Sequence, residues 1–281
     1  DCSSEGLKAV FAAESVAASV GLSGRLSRDR IDDCIDIMLS LRNAHDDGGF
    51  PTYELKRAGE WLEALNPSET FFRIMVDYSY IELTSTCCQA MSEYLRLHPE
   101  AERRPEIERA LQEGLDFVKA RQRPDGSYYG SWAICFTYAA WFAVDALVLA
   151  GEGKGDEVAR AVDFLLSKQS ESDGGWGETY WSCFLGEYTS DGNSYPENTG
   201  WALLALTKAY PHLDGDRAKR VRTAAQRAAK LLMATQLEDG SWESAPQGIG
   251  IFNGSTMIWY GNYALIFPTW ALAEYSAVFE H

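Results

Sequence analysis

Basic side chains are scarce: 25 Lys and Arg stand against 41 Asp and Glu, a formal charge of −16. Phosphate backbones are bound by clustered Lys and Arg, so nucleic acid is excluded as a partner. The acidity itself serves solubility and says little more. Only four histidines occur, at 45, 98, 212 and 281, far apart and near turns. Solvated side chains account for them better than a metal site does, and neither a metal nor a cofactor is expected. The six cysteines (2, 34, 87, 88, 135 and 183) form no Cys-x-x-Cys pair and no framework spacing, which indicates a reducing compartment. Asp191-Gly192-Asn193 has the composition of a calcium loop but not its pattern, and a plain loop is expected there. No Gly-rich phosphate loop, secretory signal or membrane-spanning run of about 18 apolar residues is present. Residue 1 is Asp rather than Met, and the chain is expected to be part of a longer polypeptide.

Aromatic rings, by contrast, are plentiful, with 9 Trp, 14 Tyr and 12 Phe in 281 residues. That length is enough for one large helical domain with a substantial core. Its organising unit is a turn of the form Asp-Gly followed by a ring: Asp47-Gly48 to Phe50, Asp125-Gly126 to Tyr128, Asp173-Gly174 to Trp176 and Asp239-Gly240 to Trp242. Glycine supplies the turn because it tolerates positive φ without steric cost. Intervals of 78, 48 and 66 residues between the aspartates are too irregular for a solenoid, so one structural unit repeated with insertions is the better reading.

Helical periodicity is predicted at 6–20, 28–42, 78–96, 104–121, 133–150, 156–168, 197–210, 215–235 and 263–279, with little strand signal. The segment 44–70 is long and irregular, which favours a functional role for it. Segments 104–121, 156–168 and 215–235 are charged and amphipathic, as outward helices are. Segments 133–150, 197–210 and 263–279 are nearly apolar, as buried helices are. Each Asp-Gly turn lies between a charged helix and the approach to an apolar one. The pattern predicts an all-α fold of concentric helix rings, an α/α barrel. Nine helices fall short of the twelve that six hairpins need, which fits an absent upstream part.

Three of the turns extend into a longer motif: Phe117-Val118, Gln122, Gly126, Tyr128; Phe164-Leu165, Gln169, Gly174, Trp176; and Leu231-Leu232, Gln236, Gly240, Trp242. These resemble the Gln-Trp repeats of the triterpene cyclases, the squalene-hopene and oxidosqualene cyclases. Tyr128 replaces Trp, the second copy carries an extra residue, and the copy ending at Phe50 has Arg42 in place of Gln. Asp1-Cys2-Ser3-Ser4-Glu5 resembles the Asp-Cys-Thr-Ala-Glu box of oxidosqualene cyclases. Further matches to that branch are Phe50–Arg57, Asn66–Glu69, Asp77–Glu82, Gly130–Tyr138, Gly250–Asn253 and Ile266–Leu272. The resemblance covers essentially the whole chain. It implies that 1–281 is the C-terminal part of the catalytic (α/α)6 barrel, that 2,3-oxidosqualene is the substrate, and that a triterpene alcohol forms without a cofactor.

The resemblance also implies residue roles. Asp1 would protonate the epoxide, Cys2 would donate a hydrogen bond to it, and Glu5 would restore its proton through water. A neutral carboxyl in an apolar pocket suits that task, because burial disfavours the charged form. Read alone, Asp1 is better taken as a helix N-cap, and it is the distant matches that reverse this. The second family cysteine falls on Leu83, which cannot donate a hydrogen bond. Trp132 and Phe252 would face the carbocation, whose charge aromatic quadrupoles stabilise without attacking it. Tyr53 would stabilise the cation or take part in the final proton loss. Phe71, Ile74, Tyr138, Ile258 and Tyr260 match positions near the cavity or its entrance. Any single ring could equally be core packing, and Tyr128, Trp176 and Trp242 are assigned to packing, with their glutamines bracing outer helices. Asn253–Tyr260 departs from the Asn-Lys-Ser-Cys-Ala-Ile segment of lanosterol-forming enzymes and, with Leu83, allows a non-sterol product.

Alternatives remain: squalene as substrate, a protein prenyltransferase β-like barrel, or a non-catalytic binding module. The prenyltransferase needs an Asp, Cys and His zinc site, which the four histidines do not offer. The family further implies an intracellular protein lying peripherally on endoplasmic reticulum or lipid-droplet membranes, mainly through regions upstream of this chain.

Overall fold

The computed structural model describes residues 2–22, 26–68, 73–252, 254 and 256–280. Among the described residues, ten α-helices carry the fold: α1 (Cys2–Ser19), α2 (Arg28–Ser40), α3 (Ile81–Leu97), α4 (Arg104–Ala120), α5 (Phe136–Leu149), α6 (Asp156–Lys168), α7 (Trp181–Leu185), α8 (Pro196–Ala209), α9 (Gly215–Thr235) and α10 (Tyr263–Phe279). Helices α1, α3, α5, α8 and α10 pack side by side as an inner layer, each on the next. Helices α2, α4, α6 and α9 each back the inner helix that precedes or follows them.

Residue pattern decides which helix goes where. In α6, Val158, Ala161, Val162 and Leu165 recur at three- and four-residue steps and are all buried, while the other face is charged. That single stripe can bury one side only, which makes an outer helix. Helix α5 has no such polar face: from Phe136 to Val144 every residue is out of solvent. Burial of each large aliphatic side chain contributes about 1.5–3 kcal/mol, so a helix apolar all round is stable only between layers. Helix α10 departs from the expected full burial. It rests on α8 and α9, burying Phe267, Pro268, Ala271 and Tyr275. Leu265 and Ile266 are exposed, and Trp270, 39% exposed, meets Trp141 of α5 edge-on at 5.4 Å.

The Asp-Gly turns tie the layers together. Gly48, Gly126, Gly174 and Gly240 all have φ between +77° and +88°. In each, the aspartate Oδ1 accepts the backbone N–H two residues on, at 3.0–3.1 Å. The same oxygen then takes a serine hydroxyl, from one of two sources. Asp125 and Asp239 use Ser127 and Ser241 inside the turn. Asp47 and Asp173, whose turns have glycine there, use Ser79 and Ser194, which stand two residues before inner helices α3 and α8. Gln122 and Gln169 donate to backbone carbonyls of Glu157 (2.7 Å) and Ala224 (2.9 Å) on the next outer helix. Arg42, standing in the glutamine position, pairs with Glu113 of α4 instead.

Some short elements were not expected from periodicity. A 3-10 turn occupies Glu60–Leu65 within the irregular segment, and α7 is a single short turn closed by left-handed Gly186. Strands β1 (Gly250–Phe252) and β2 (Thr256–Ile258) form an antiparallel hairpin with Gly250 opposite Ile258. Strands of three residues fall below any period-2 signal.

Candidate active site

The hairpin positions the site. Ile251 N–H donates to the Trp132 carbonyl at 3.2 Å, and Ile134 N–H to the Ile249 carbonyl at 2.9 Å, so β1 docks on the segment entering α5. Ala133 thus bridges to Gly250, and residues 133–135, expected to be helical, precede the helix instead. The Trp132 ring meets Phe252 edge to face, with centroids 5.2 Å apart and planes at 81°. Tyr80 meets the same indole at 5.7 Å and Tyr53 at 6.4 Å, both edge-on. Tyr53, Trp132 and Phe252 are therefore brought together, and Tyr80 completes the group. Tyr53 is 69% exposed, and its backbone N–H is held by Asp77, which also takes those of Thr52 and Glu54.

A second line of rings follows the ends of the inner helices. Tyr138 on α5 packs against Trp201 on α8 at 4.9 Å, and Trp201 meets Tyr263 on α10 at 6.3 Å. Tyr263 stacks on Tyr260 at 4.7 Å. Gly250 permits that stack, since a side chain there would come within 2.3 Å of the Tyr260 ring. Burial pushes the Tyr138 hydroxyl well above its usual range and that of Tyr263 up to about 12, keeping both neutral. Ile258 is half-buried opposite Gly250, and Ile74 is exposed on the segment preceding α3.

Helix α1 brings its first turn to the same end. Cys2 is exposed and close enough to Tyr263 to bear on its ionisation, as is Glu5. Glu5 accepts from the Thr86 hydroxyl at 2.5 Å and pairs with Lys8 at 2.7 Å. Lys8 in turn donates to Gln89 at 2.5 Å, so a polar ladder runs along α3 beneath α1. Leu83 is buried one turn before Cys87 on that helix. Asp1 and Phe71 lie outside the described residues.

Buried carboxyls support these rings, and periodicity gave no hint of them. Glu82 is 2% exposed, and its Oε1 accepts the N–H groups of Ser131 (2.5 Å) and Trp132 (2.9 Å). Glu178 accepts the N–H groups of Cys135, Phe136 and Thr137 and the Thr137 hydroxyl, capping α5 with both oxygens. Asn198 on α8 closes the network by donating to Thr137 at 2.9 Å and to the Ile134 carbonyl at 3.2 Å. Desolvation raises the pKa of both glutamates, opposed by those N–H donors. Glu82 sits in the matched stretch Asp77–Glu82, but its partners are about 50 residues away and no spacing rule reaches them. Trp201 and Tyr263 were placed in apolar helices with nothing to mark them as site residues.

A cavity of about 800 Å³ is bordered by Tyr80 and Ser131. Its wall is mixed, with Lys56, Arg73 and Arg121 beside Phe117, Phe184 and Leu185. Among the described residues, no group of three or more His, Cys, Asp or Glu could hold a metal ion.

Two layers of α-helix, with rings converging where the inner helices begin, define the terpenoid-cyclase class of α/α fold. The solved structures agree on the fold. An ent-copalyl diphosphate synthase from Streptomyces platensis superposes with a TM-score of 0.57 at 16% identity, over 99% of this chain and 50% of that one. A type II terpene cyclase from Scytonema does so with a TM-score of 0.57 at 16% identity, over 93% and 71%. Residues 10–277 match the squalene-hopene cyclase C-terminal domain, and the chain belongs to that family. It is similar to the lanosterol synthase of Mus musculus, 43% identical over 99% of this chain and 37% of the relative. The cycloartenol synthase of Dictyostelium discoideum is 42% identical over 99% and 38%. The chain thus spans little more than a third of the length of these curated relatives.

Proposed function

We propose that the natural protein containing this chain cyclises 2,3-oxidosqualene to a triterpene alcohol, and that residues 1–281 form the C-terminal part of its catalytic barrel. The observation that carries the reading is the convergence of Tyr53, Trp132 and Phe252, three rings from distant segments. Its support from relatives is the lanosterol and cycloartenol synthases, whose names state their products.

In this reading the Asp1 carboxyl gives its proton to the epoxide oxygen, the C–O bond opens, and successive alkene π pairs close the rings. The cation is finally discharged by loss of one proton, so substrate and product are isomers. Trp132 and Phe252 offer non-nucleophilic negative faces to the passing charge, worth roughly 0.5–2 kcal/mol each. Tyr53 stands beside Trp132 for stabilisation or the last proton loss. Glu5, hydrogen-bonded to Thr86 at the α1–α3 contact, would return a proton to Asp1 through water. Leu83 stands where the family has its second cysteine, and Cys2 is the family cysteine that this chain keeps.

The substrate is insoluble in water, which favours peripheral attachment to endoplasmic reticulum or lipid-droplet membranes. Among the described residues no helix is long and apolar enough to cross a bilayer. Feeding the natural protein oxidosqualene and squalene in parallel, with mass spectrometry of the products, tests the reading. A triterpene alcohol from oxidosqualene that disappears in Asp1→Asn is expected. Cyclisation retained by Asp1→Asn, or turnover of squalene alone, would overturn it.

A further inference from the structure

Glu82 and Glu197 hold the same place in two copies of the repeat. Each is the second residue of an inner helix, α3 or α8, and each is buried. Each reaches the loop that leads into the next inner helix. Glu197 accepts the Ser244 hydroxyl before α10, and its Oε2 has no partner among the described residues. Glu82 Oε1 accepts Ser131 and Trp132 N–H before α5, and its Oε2 is likewise buried without a partner among the described residues. The two carboxyls are one scaffold device used twice. At α8 the carboxyl holds Ser244, in the segment that carries Phe252 eight residues on. At α3 it holds the backbone of Trp132 itself.

The Trp132 side chain does little to fix itself. Its Nε1 is buried without a hydrogen-bond partner among the described residues, and its neighbours are rings meeting it edge-on at 5.2–6.4 Å. Such contacts are broad in angle. The backbone is held far more tightly: Glu82 takes its N–H at 2.9 Å, and Ile251 donates to its carbonyl at 3.2 Å. We infer that Glu82 is a positioning residue, holding the Trp132 backbone from behind so that the indole presents its face to the cation. The inference rests on the cyclase reading for its consequence, though not for its geometry.

The test uses the natural protein with E82M, E82Q, W132L and the E82M/W132L double variant. Glutamine keeps one carbonyl-type oxygen for both N–H groups and puts its NH2 where Oε2 has no partner; methionine has a similar length and no acceptor. Two quantities are read: amide hydrogen exchange across 128–134, and the ratio of partly to fully cyclised product from oxidosqualene. E82M is expected to hasten exchange and raise the ratio by about tenfold, as a loss of roughly 1.4 kcal/mol in positioning would. E82Q restores both toward the natural values. Adding E82M to W132L changes the ratio little, because the ring that Glu82 positions is already gone. Unchanged exchange in E82M overturns the inference, as does a ratio in E82Q as disturbed as in E82M, which would assign the effect to charge. If the natural protein yields no cyclised product, the cyclase reading falls, and the exchange measurement alone decides whether Glu82 holds the loop.

Discussion

The indole N–H of Trp176 donates to the backbone carbonyl of Leu165 at 2.8 Å, both residues fully out of solvent. Trp242 repeats the bond on Leu232, also at 2.8 Å, so the ring of each turn locks the end of the outer helix before it. Tyr128 fills the same place after α4 but cannot reproduce the bond, and its hydroxyl is buried without a partner among the described residues. The two positions should therefore respond oppositely to phenylalanine. Trp176→Phe leaves a carbonyl unpaired and a void, a loss of about 2–4 kcal/mol. Tyr128→Phe removes an unpaired polar atom and is neutral or stabilising by up to about 1 kcal/mol. Urea unfolding midpoints of the two variants, measured side by side, check the contrast.

Buried glutamates give a second contrast. Glu178 uses both oxygens as acceptors, so the NH2 of Glu178→Gln would face N–H donors at the start of α5. A cost of about 2–4 kcal/mol is expected. Glu197→Gln can place its NH2 where Oε2 has no partner, and should cost less than about 1 kcal/mol. The pH dependence follows from sign. Burial raises the Glu197 pKa above its ordinary 4.5, so the folded state binds the proton more tightly than the unfolded one. Its contribution is complete below about 4.5 and is lost as pH rises through the raised folded value. Glu197→Gln removes that loss, so unfolding curves of variant and natural protein should diverge in the variant's favour on going from pH 4.5 upward.

Much of this architecture was legible in the residues. The charged stripe of α6 and the wholly apolar α5 announced their layers, and Asp173-Gly174 announced its turn, because these are local signals with a fixed period. Tyr53, Trp132 and Phe252 were legible only through family resemblance, since nothing local links residues as far apart as 53 and 252. Glu82 was invisible for a further reason. A glutamate at the start of a helix is ordinary, and only the packed fold shows that its oxygen serves Trp132 about 50 positions on. Helix α10 was misjudged because composition reports how apolar a helix is, not how many neighbours it has.

Glycine at 177 is required by proximity rather than by dihedral angle. A methyl group there would fall 1.8 Å from the Asn193 carbonyl oxygen, and the nearest atoms are all backbone, with nothing flexible to yield. Gly177 lies just before Glu178, so any shift is passed to the carboxyl that caps α5. Gly177→Ala is expected to cost about 3 kcal/mol and to hasten amide exchange at 135–137. Gly6→Ala, where a methyl meets nothing within 4 Å inside α1, should instead gain up to about 1 kcal/mol. Exchange and unfolding measured on both variants separate close packing from a general intolerance of substitution.

Ring count alone does not make a catalytic face, and the described geometry separates rings that could meet a cation from rings that hold the barrel. Trp132 is half-buried at the group with Phe252 and Tyr53, whereas Trp181 is half-exposed on α7, away from it. Trp132→Leu keeps an apolar side chain but removes the quadrupole. A cation–π loss of about 0.5–2 kcal/mol corresponds to roughly a 2- to 30-fold fall in cyclisation rate. The loss concerns a charge present only after protonation, so it should appear in kcat more than in KM. Trp181→Leu, the matched control, should leave both unchanged. Steady-state turnover of oxidosqualene by the natural protein and the two variants checks this; an equal fall in both would mean that the Trp132 face is not special.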